Sequence, residues 1–154
     1  MQIDILIPEP APLQYLAEHD GLQLLNQAGI VHFPDLVAMS LIRKGMPGSE
    51  DIHQWLLKGR FEGTVFCDDT PIGEALRLAR ESFPDYNLAD DGDRACRLWL
   101  IEQLEAMPDI VMILYESQEL ANIVRNHDAE LAAKMITAER FLAICAKTGV
   151  KPHP

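Results

Sequence analysis

Three carboxylates draw attention by their positions: Glu9 between Pro8 and Pro10, Asp93 in the run Asp90-Asp91-Gly92-Asp93, and Glu116 just after the apolar run Ile110 to Leu114. An acid at the end of a strand or the start of a helix solvates the chain, complements the helix dipole, or offers hard oxygen ligands to a divalent cation. Taken alone, Glu9 reads as a loop carboxylate, Asp93 as a helix cap or a ligand, and Glu116 as a solvated strand end or a ligand. The Asp90 to Asp93 run is not a calcium loop, because that spacing places ligand positions on Ala89 and Leu98. Cys67-Asp68-Asp69-Thr70 lacks the arrangement of a phosphoacceptor site. No GxSxG, P-loop or GxGxxG is present, and His19, His32, His53, His127 and His153 show no zinc-ligand spacing, so they read as surface or packing residues.

The elements that would carry these carboxylates alternate between strand and helix. Ile3 to Ile7 is short, rich in isoleucine and closed by Pro8-Glu9-Pro10, which predicts a buried strand ending near Glu9. Two short helices follow from Ala11, broken at His19-Asp20-Gly21 and ended by Gly29. Ile30 to Phe33 reads as a second strand, and Pro34 as the first position of a helix. Ser49, with Glu50 and Asp51 behind it, opens a helix that Gly59 is expected to terminate. Thr64 to Cys67 predicts a third strand, Pro71 to Ser82 a helix, and Asp91 to Met107 a long amphipathic helix. Ile110 to Leu114 is the strongest strand signal, a continuous apolar run suited to a strand covered on both faces. A helix from Gln118 to about Arg125, a strand near Lys134 to Ile136 and a helix from Ala138 to Lys147 complete the pattern. Such alternation predicts a three-layer α/β/α domain over residues 1–148, with a mainly parallel sheet of about five strands and a C-terminal tail at 149–154. Ligands of such sheets bind beyond the carboxyl ends of the strands, where Glu9, Asp93 and Glu116 are expected to converge.

Composition narrows the function classes. The chain has 154 residues and 24 acidic against 13 basic side chains, a formal net charge of −11 that disfavours non-specific binding of polyanions. Carboxylates that hold cations lose much of their repulsive field, so an acidic nuclease is still compatible with this balance. Arg43, Lys44, Lys58 and Arg60 are candidates for a basic lip beside helix ends. The start MQIDILIPEP has no basic segment ahead of an apolar run, and no stretch is long enough to span a membrane. The expectation is a soluble, cytoplasmic protein. Cys67, Cys96 and Cys145 are odd in number and widely spaced, and read as reduced core residues. Trp55 and Trp99 read as core residues on amphipathic helices.

Five segments, in order, resemble the PIN-like nucleases. ILIPEPAPLQYLAE at 5–18 is similar to the family's opening strand, acidic residue and helix start, with Glu9 matching its first aspartate. IVHFPDLVAMSLIR at 30–43 is similar to its second strand and helix, but Met39 and Ser40 stand where a glutamate normally lies. NLADDGDRACRLWL at 87–100 places Asp93 at the family's next carboxylate. IVMILYESQELANI at 110–123 resembles its fourth strand, where only Glu116 of Glu116-Ser117 is acidic. KMITAERFLAIC at 134–145 resembles the closing strand and helix, with Thr137 near the strand end.

The resemblance implies a metal-dependent ribonuclease of the toxin-antitoxin type, cutting single-stranded RNA and forming homodimers. Glu9, Asp93 and Glu116 would be ligands to Mg²⁺ or Mn²⁺, whose bound water attacks the phosphodiester, and Thr137 would orient a carboxylate or water. The missing helix glutamate, and glutamate for aspartate at 9 and 116, imply a partly degenerate site with weakened activity. The alternative is a catalytically inactive PIN-like module that binds a protein partner, such as an antitoxin, or dimerises.

Overall fold

A computed structural model describes residues 3–87, 90–106 and 112–148, with the side chain of Asp90 excepted. The proposed tail at 149–154, and Ile110 and Val111 of the fourth apolar run, lie outside the described residues. The elements in chain order are β1 (Ile3–Leu6), α1 (Pro10–Glu18), α2 (Leu22–Ala28), β2 (Gly29–Pro34), α3 (Asp35–Leu41), α4 (Ser49–Glu62) and β3 (Val65–Asp68). They continue with α5 (Pro71–Ser82), α6 (Asp90–Ala106), β4 (Met112–Tyr115), α7 (Gln118–His127), α8 (Ala129–Ala132), β5 (Met135–Thr137) and α9 (Ala138–Lys147).

All five strands are parallel, in the order β3-β2-β1-β4-β5, and helices cover the sheet in a three-layer α/β/α arrangement. Neighbouring residues of a strand point to opposite faces. Leu6 and Ile113 therefore pack with Trp99, Leu100 and Leu104 of α6 and with Leu120 and Val124 of α7. Ile5, Ile7 and Leu114 join the larger cluster containing Leu13 and Leu16 of α1 and Phe141 of α9. The burial of both faces explains why β4 reads as an unbroken apolar run, and β1 as one interrupted only by Asp4, which pairs with His32 at 3.0 Å. Trp55 and Trp99 are buried, as are Cys96 and Cys145; Cys67 is half-buried, and all three cysteines are free. Among the described residues no helix is long and apolar enough to cross a membrane.

The structure revises two local expectations. Gly59 does not end α4. It lies inside the helix where a Cβ would come within 2.2 Å of Val65 Cγ2, so the glycine permits close approach of α4 to β3, and the helix ends at Gly63 with φ +75°. Pro34 closes β2 and acts as the N-cap position of α3, so that Asp35 becomes the first helical residue. The sequence pattern also passes over α8, a helix of only four residues.

The strand order reverses its direction of growth between β1 and β4. The chain adds β2 and β3 on one side of β1, then returns to place β4 and β5 on the other. The crevice beyond the carboxyl ends of β1 and β4 is the topological switch point, where open α/β sheets bind ligands.

Candidate functional site at the switch point

Register places Glu9 at this crevice. Leu6 of β1 pairs with Ile113 of β4, so Glu9 and Glu116, each three residues further on, emerge at the same level. Glu9 is the N-cap residue of α1, with extended backbone (φ −146°, ψ 157°), but its side chain does not cap that helix. Its carboxylate reaches across the switch point instead. Glu9 Oε2 accepts hydrogen bonds from the backbone N–H of Glu116 at 2.7 Å and of Ser117 at 3.0 Å. Ser117 is the N-cap of α7, so the carboxylate also complements the positive end of that helix dipole. The contact staples the end of β1 to the β4–α7 turn.

Asp93, in the first turn of α6, lines the same cleft of about 180 Å³ together with Glu9, Arg97, Ser117 and Glu119. Glu116 enters through its backbone N–H, while its exposed side chain is not part of the lining. The acid that the β4–α7 segment contributes to the wall is Glu119, in the first turn of α7, and it is ion-paired with Arg97 of α6. Thr137, paired with Tyr115 at the end of β5, is not in this lining: its hydroxyl accepts from the N–H of Arg140 at 3.2 Å and caps α9. At Met39 and Ser40, where the resemblance led to the expectation of a helix glutamate, the Ser40 hydroxyl donates back to Leu36 O at 2.9 Å and the Met39 carbonyl accepts from Arg80.

Cys96 forms part of the cleft lining and reports its field. Its thiol is pushed up to about 12, first by burial and then by the negative charges of Asp93, Asp35 and Glu9, with Arg97 acting in the opposite sense. Desolvation and nearby negative charge both disfavour a thiolate. Cys96 is thus a protonated wall residue and not a nucleophile.

Sequence reasoning missed Glu119, Arg97 and Asp35. Arg97 carried a usable signal. It follows Asp93 by one turn of α6, so it lies on the same helical face as a residue already singled out. Asp35 was hidden by the placement of Pro34 inside the helix. It is the buried acid at the end of β2, only 4% exposed, and both of its oxygens are engaged. Oδ2 accepts from the N–H of Thr70 at 3.1 Å, and Oδ1 accepts from the Thr70 hydroxyl at 2.7 Å. That hydroxyl in turn accepts from Gly73 N–H at 3.0 Å, so Asp35 locks the N-terminus of α5 onto the β2–α3 junction.

The donor types in the cleft suit a hard cation: Glu9, Asp93 and Glu119 are all carboxylates. Their present arrangement does not amount to an assembled centre, because one oxygen of Glu9 serves two amides and Glu119 is paired with Arg97. Among the described residues no group of three or more His, Cys, Asp or Glu side chains is gathered closely enough to hold a metal ion. No protein-family model, curated protein or solved structure matches the chain significantly.

Proposed function

We propose that the chain is a PIN-like, metal-dependent ribonuclease of weakened activity, working on single-stranded RNA in the manner of toxin-antitoxin nucleases. The observation that carries the reading is the cleft at the switch point, where Glu9, Asp93 and Glu119 line one wall system at the carboxyl ends of β1 and β4. Asp93 and the free oxygen of Glu9 would hold Mg²⁺ or Mn²⁺, with Glu119 as the third carboxylate in place of the expected Glu116. A bound cation there would supply a water of lowered pKa and neutralise charge on the phosphodiester. The chain's own part is to fix the ligands. The two backbone amides hold Glu9 against the β4–α7 turn, and the first turn of α6 brings Asp93 to the same cleft. The Thr137 hydroxyl supports α9 in this reading and does not orient a ligand.

A second reading has its own observation. The carboxylate of Glu9 already serves the fold as a staple, and Glu119 already has a cationic partner, which suits an inactive PIN-like module that binds a protein such as an antitoxin or forms a homodimer. Calorimetric titration of Mn²⁺ into the protein and into Asp93→Ala, followed by cleavage assays on single-stranded RNA in the same buffer, separates the two. Binding lost in the variant, together with RNA cutting, is the outcome expected of the nuclease. No heat of binding at millimolar Mn²⁺ and no cutting would leave the module.

A further inference from the structure

A second side of α6 is left partly uncovered beside the start of α5. Pro71 and Ile72 of α5 and Leu98 and Trp99 of α6 line a groove of about 350 Å³, which shares no lining residue with the switch-point cleft. Leu98 is 57% exposed and Ile72 is 37% exposed. Trp99 is buried, and its indole N–H already donates to Asp68 Oδ2 at 2.9 Å, so the groove gains no donor from it. A single exposed leucine is ordinary on a protein surface, but apolar side chains gathered in one groove mark a place for a partner. The charged residues of the lining, Asp91, Arg94 and Glu102, are spread along α6, with Leu98 between Arg94 and Glu102. Asp91 and Glu102 are eleven residues apart, about 16 Å along the helix, so each end of this wall carries an acid. Asp91 has a distant partner in Arg94, at 3.9 Å, while Glu102 has no ion pair among the described residues.

We propose that this groove docks a segment of another protein that is apolar in its middle and carries Lys or Arg near both ends. The proposal goes beyond both readings above and needs neither. Apolar side chains of the segment cover Leu98 and Ile72, which supplies the affinity, and its basic ends meet Asp91 and Glu102, which fixes its position. Matching those two acids requires basic residues about eleven positions apart in a helical segment, or about five apart in an extended one. The unpaired Glu102 is the stronger of the two anchors, because Asp91 shares its charge with Arg94. Charge also selects against other occupants. Nucleic acids and anionic lipids are repelled by an acid at each end of the groove, on a chain whose net charge is −11. A second copy of this chain brings the same acids and the same net charge, which opposes pairing through this face.

The test is selection of a random peptide library, displayed on phage, against the full chain without added metal. Fluorescence anisotropy of the enriched peptides then follows on the wild type, Leu98→Glu, Ile72→Gln and Glu102→Lys. Leu98 and Ile72 are both exposed, so these variants should keep the fold, which circular dichroism checks. The expected result is enrichment of peptides with an apolar middle and basic ends. Leu98→Glu should weaken their binding more than tenfold and Ile72→Gln about fivefold. Glu102→Lys should weaken it about fivefold at low salt, with the difference fading near 1 M salt. Three outcomes overturn the proposal: no enrichment, enrichment without a basic bias, or binding that Leu98→Glu leaves unchanged. Sedimentation gives a fourth, since a wild-type dimer that Leu98→Glu turns into a monomer would assign the groove to a second copy. None of these outcomes bears on Mn²⁺ binding at the switch point, so the nuclease reading stands or falls separately.

Discussion

Two carboxylates at the carboxyl edge of the same sheet have been put to opposite uses. Asp35, at the end of β2, is buried, with both oxygens engaged by Thr70 and the helix α5 that it anchors. Glu9, at the end of β1, is only half-buried, and a single oxygen does its structural work by accepting from two amides. A buried carboxylate must have all its hydrogen-bonding capacity met within the protein, which commits it to the fold. A half-exposed one keeps a solvated oxygen and can serve the fold and a ligand together. Position at a strand end therefore nominates an acid for function, and burial decides which nominee is free.

Cys96 lies between the two regions and senses both, which makes it the sharpest probe of the contrast. With its pKa pushed up to about 12 from 9.0, it should carry on the order of a thousandfold less thiolate than an ordinary cysteine at pH 8, and iodoacetamide should alkylate it correspondingly slowly. Asp93→Asn and Glu9→Gln should each speed alkylation without unfolding the protein. The sign for stability follows from linkage. The folded-state pKa is raised, so the stabilising contribution is complete below about pH 9 and is lost as pH climbs toward about 12. Unfolding followed by urea between pH 8 and 11 checks this, and a flat profile would remove the burial argument for Cys96.

The largest loss of stability is expected at Asp35. Asp35→Ala strands the N–H and hydroxyl of Thr70 and should cost about 3 kcal/mol or more in urea denaturation. A cost under ~1 kcal/mol would mean that the lock is wet and the comparison with Glu9 is wrong. Gly73→Ala attacks the same lock sterically, since a Cβ would fall 2.0 Å from Asp35 Oδ2, and a penalty of about 2 kcal/mol is expected.

Glu9 should be more forgiving. Glu9→Gln retains an acceptor for the Glu116 and Ser117 amides and should cost about 1 kcal/mol, yet weaken Mn²⁺ binding at least tenfold if the cation reading is right. An equal loss of stability in Asp35→Asn and Glu9→Gln, with no effect on Mn²⁺, would erase the distinction between the two regions. Smallest is Thr137→Ala, which removes the cap of α9 for about 1 kcal/mol and should leave Mn²⁺ binding unchanged. A loss of metal binding in that variant would return Thr137 to the site.

Sequence pattern was sufficient for the strands and for helices with strong ends. Pro71 behind Thr70 fixes the start of α5, and Thr137 with the apolar stripe behind it fixes α9. It failed where a residue's meaning depends on a partner distant in the chain. Gly59 looked like a stop because glycine weakens helices, but it was kept small by Val65 of the next strand. Glu9 and Asp93 were found because the end of a parallel strand and the start of the helix flanking it are local features. Glu119 was not, because it joins the cleft only through the packing of α7 on α6, whereas Arg97, one turn after Asp93, was legible.

Local periodicity, turn residues and unbroken apolar runs by themselves determined that this chain forms a covered parallel sheet with acids at its carboxyl edge, since those signals depend on neighbours within a few residues. Only the tertiary structure decided which acid is locked, which is stapled and which is paired with an arginine. Burial and charge pairing are set by residues that approach from 22 to 107 positions away, such as Glu119 on Arg97, Thr70 on Asp35 and Glu116 on Glu9.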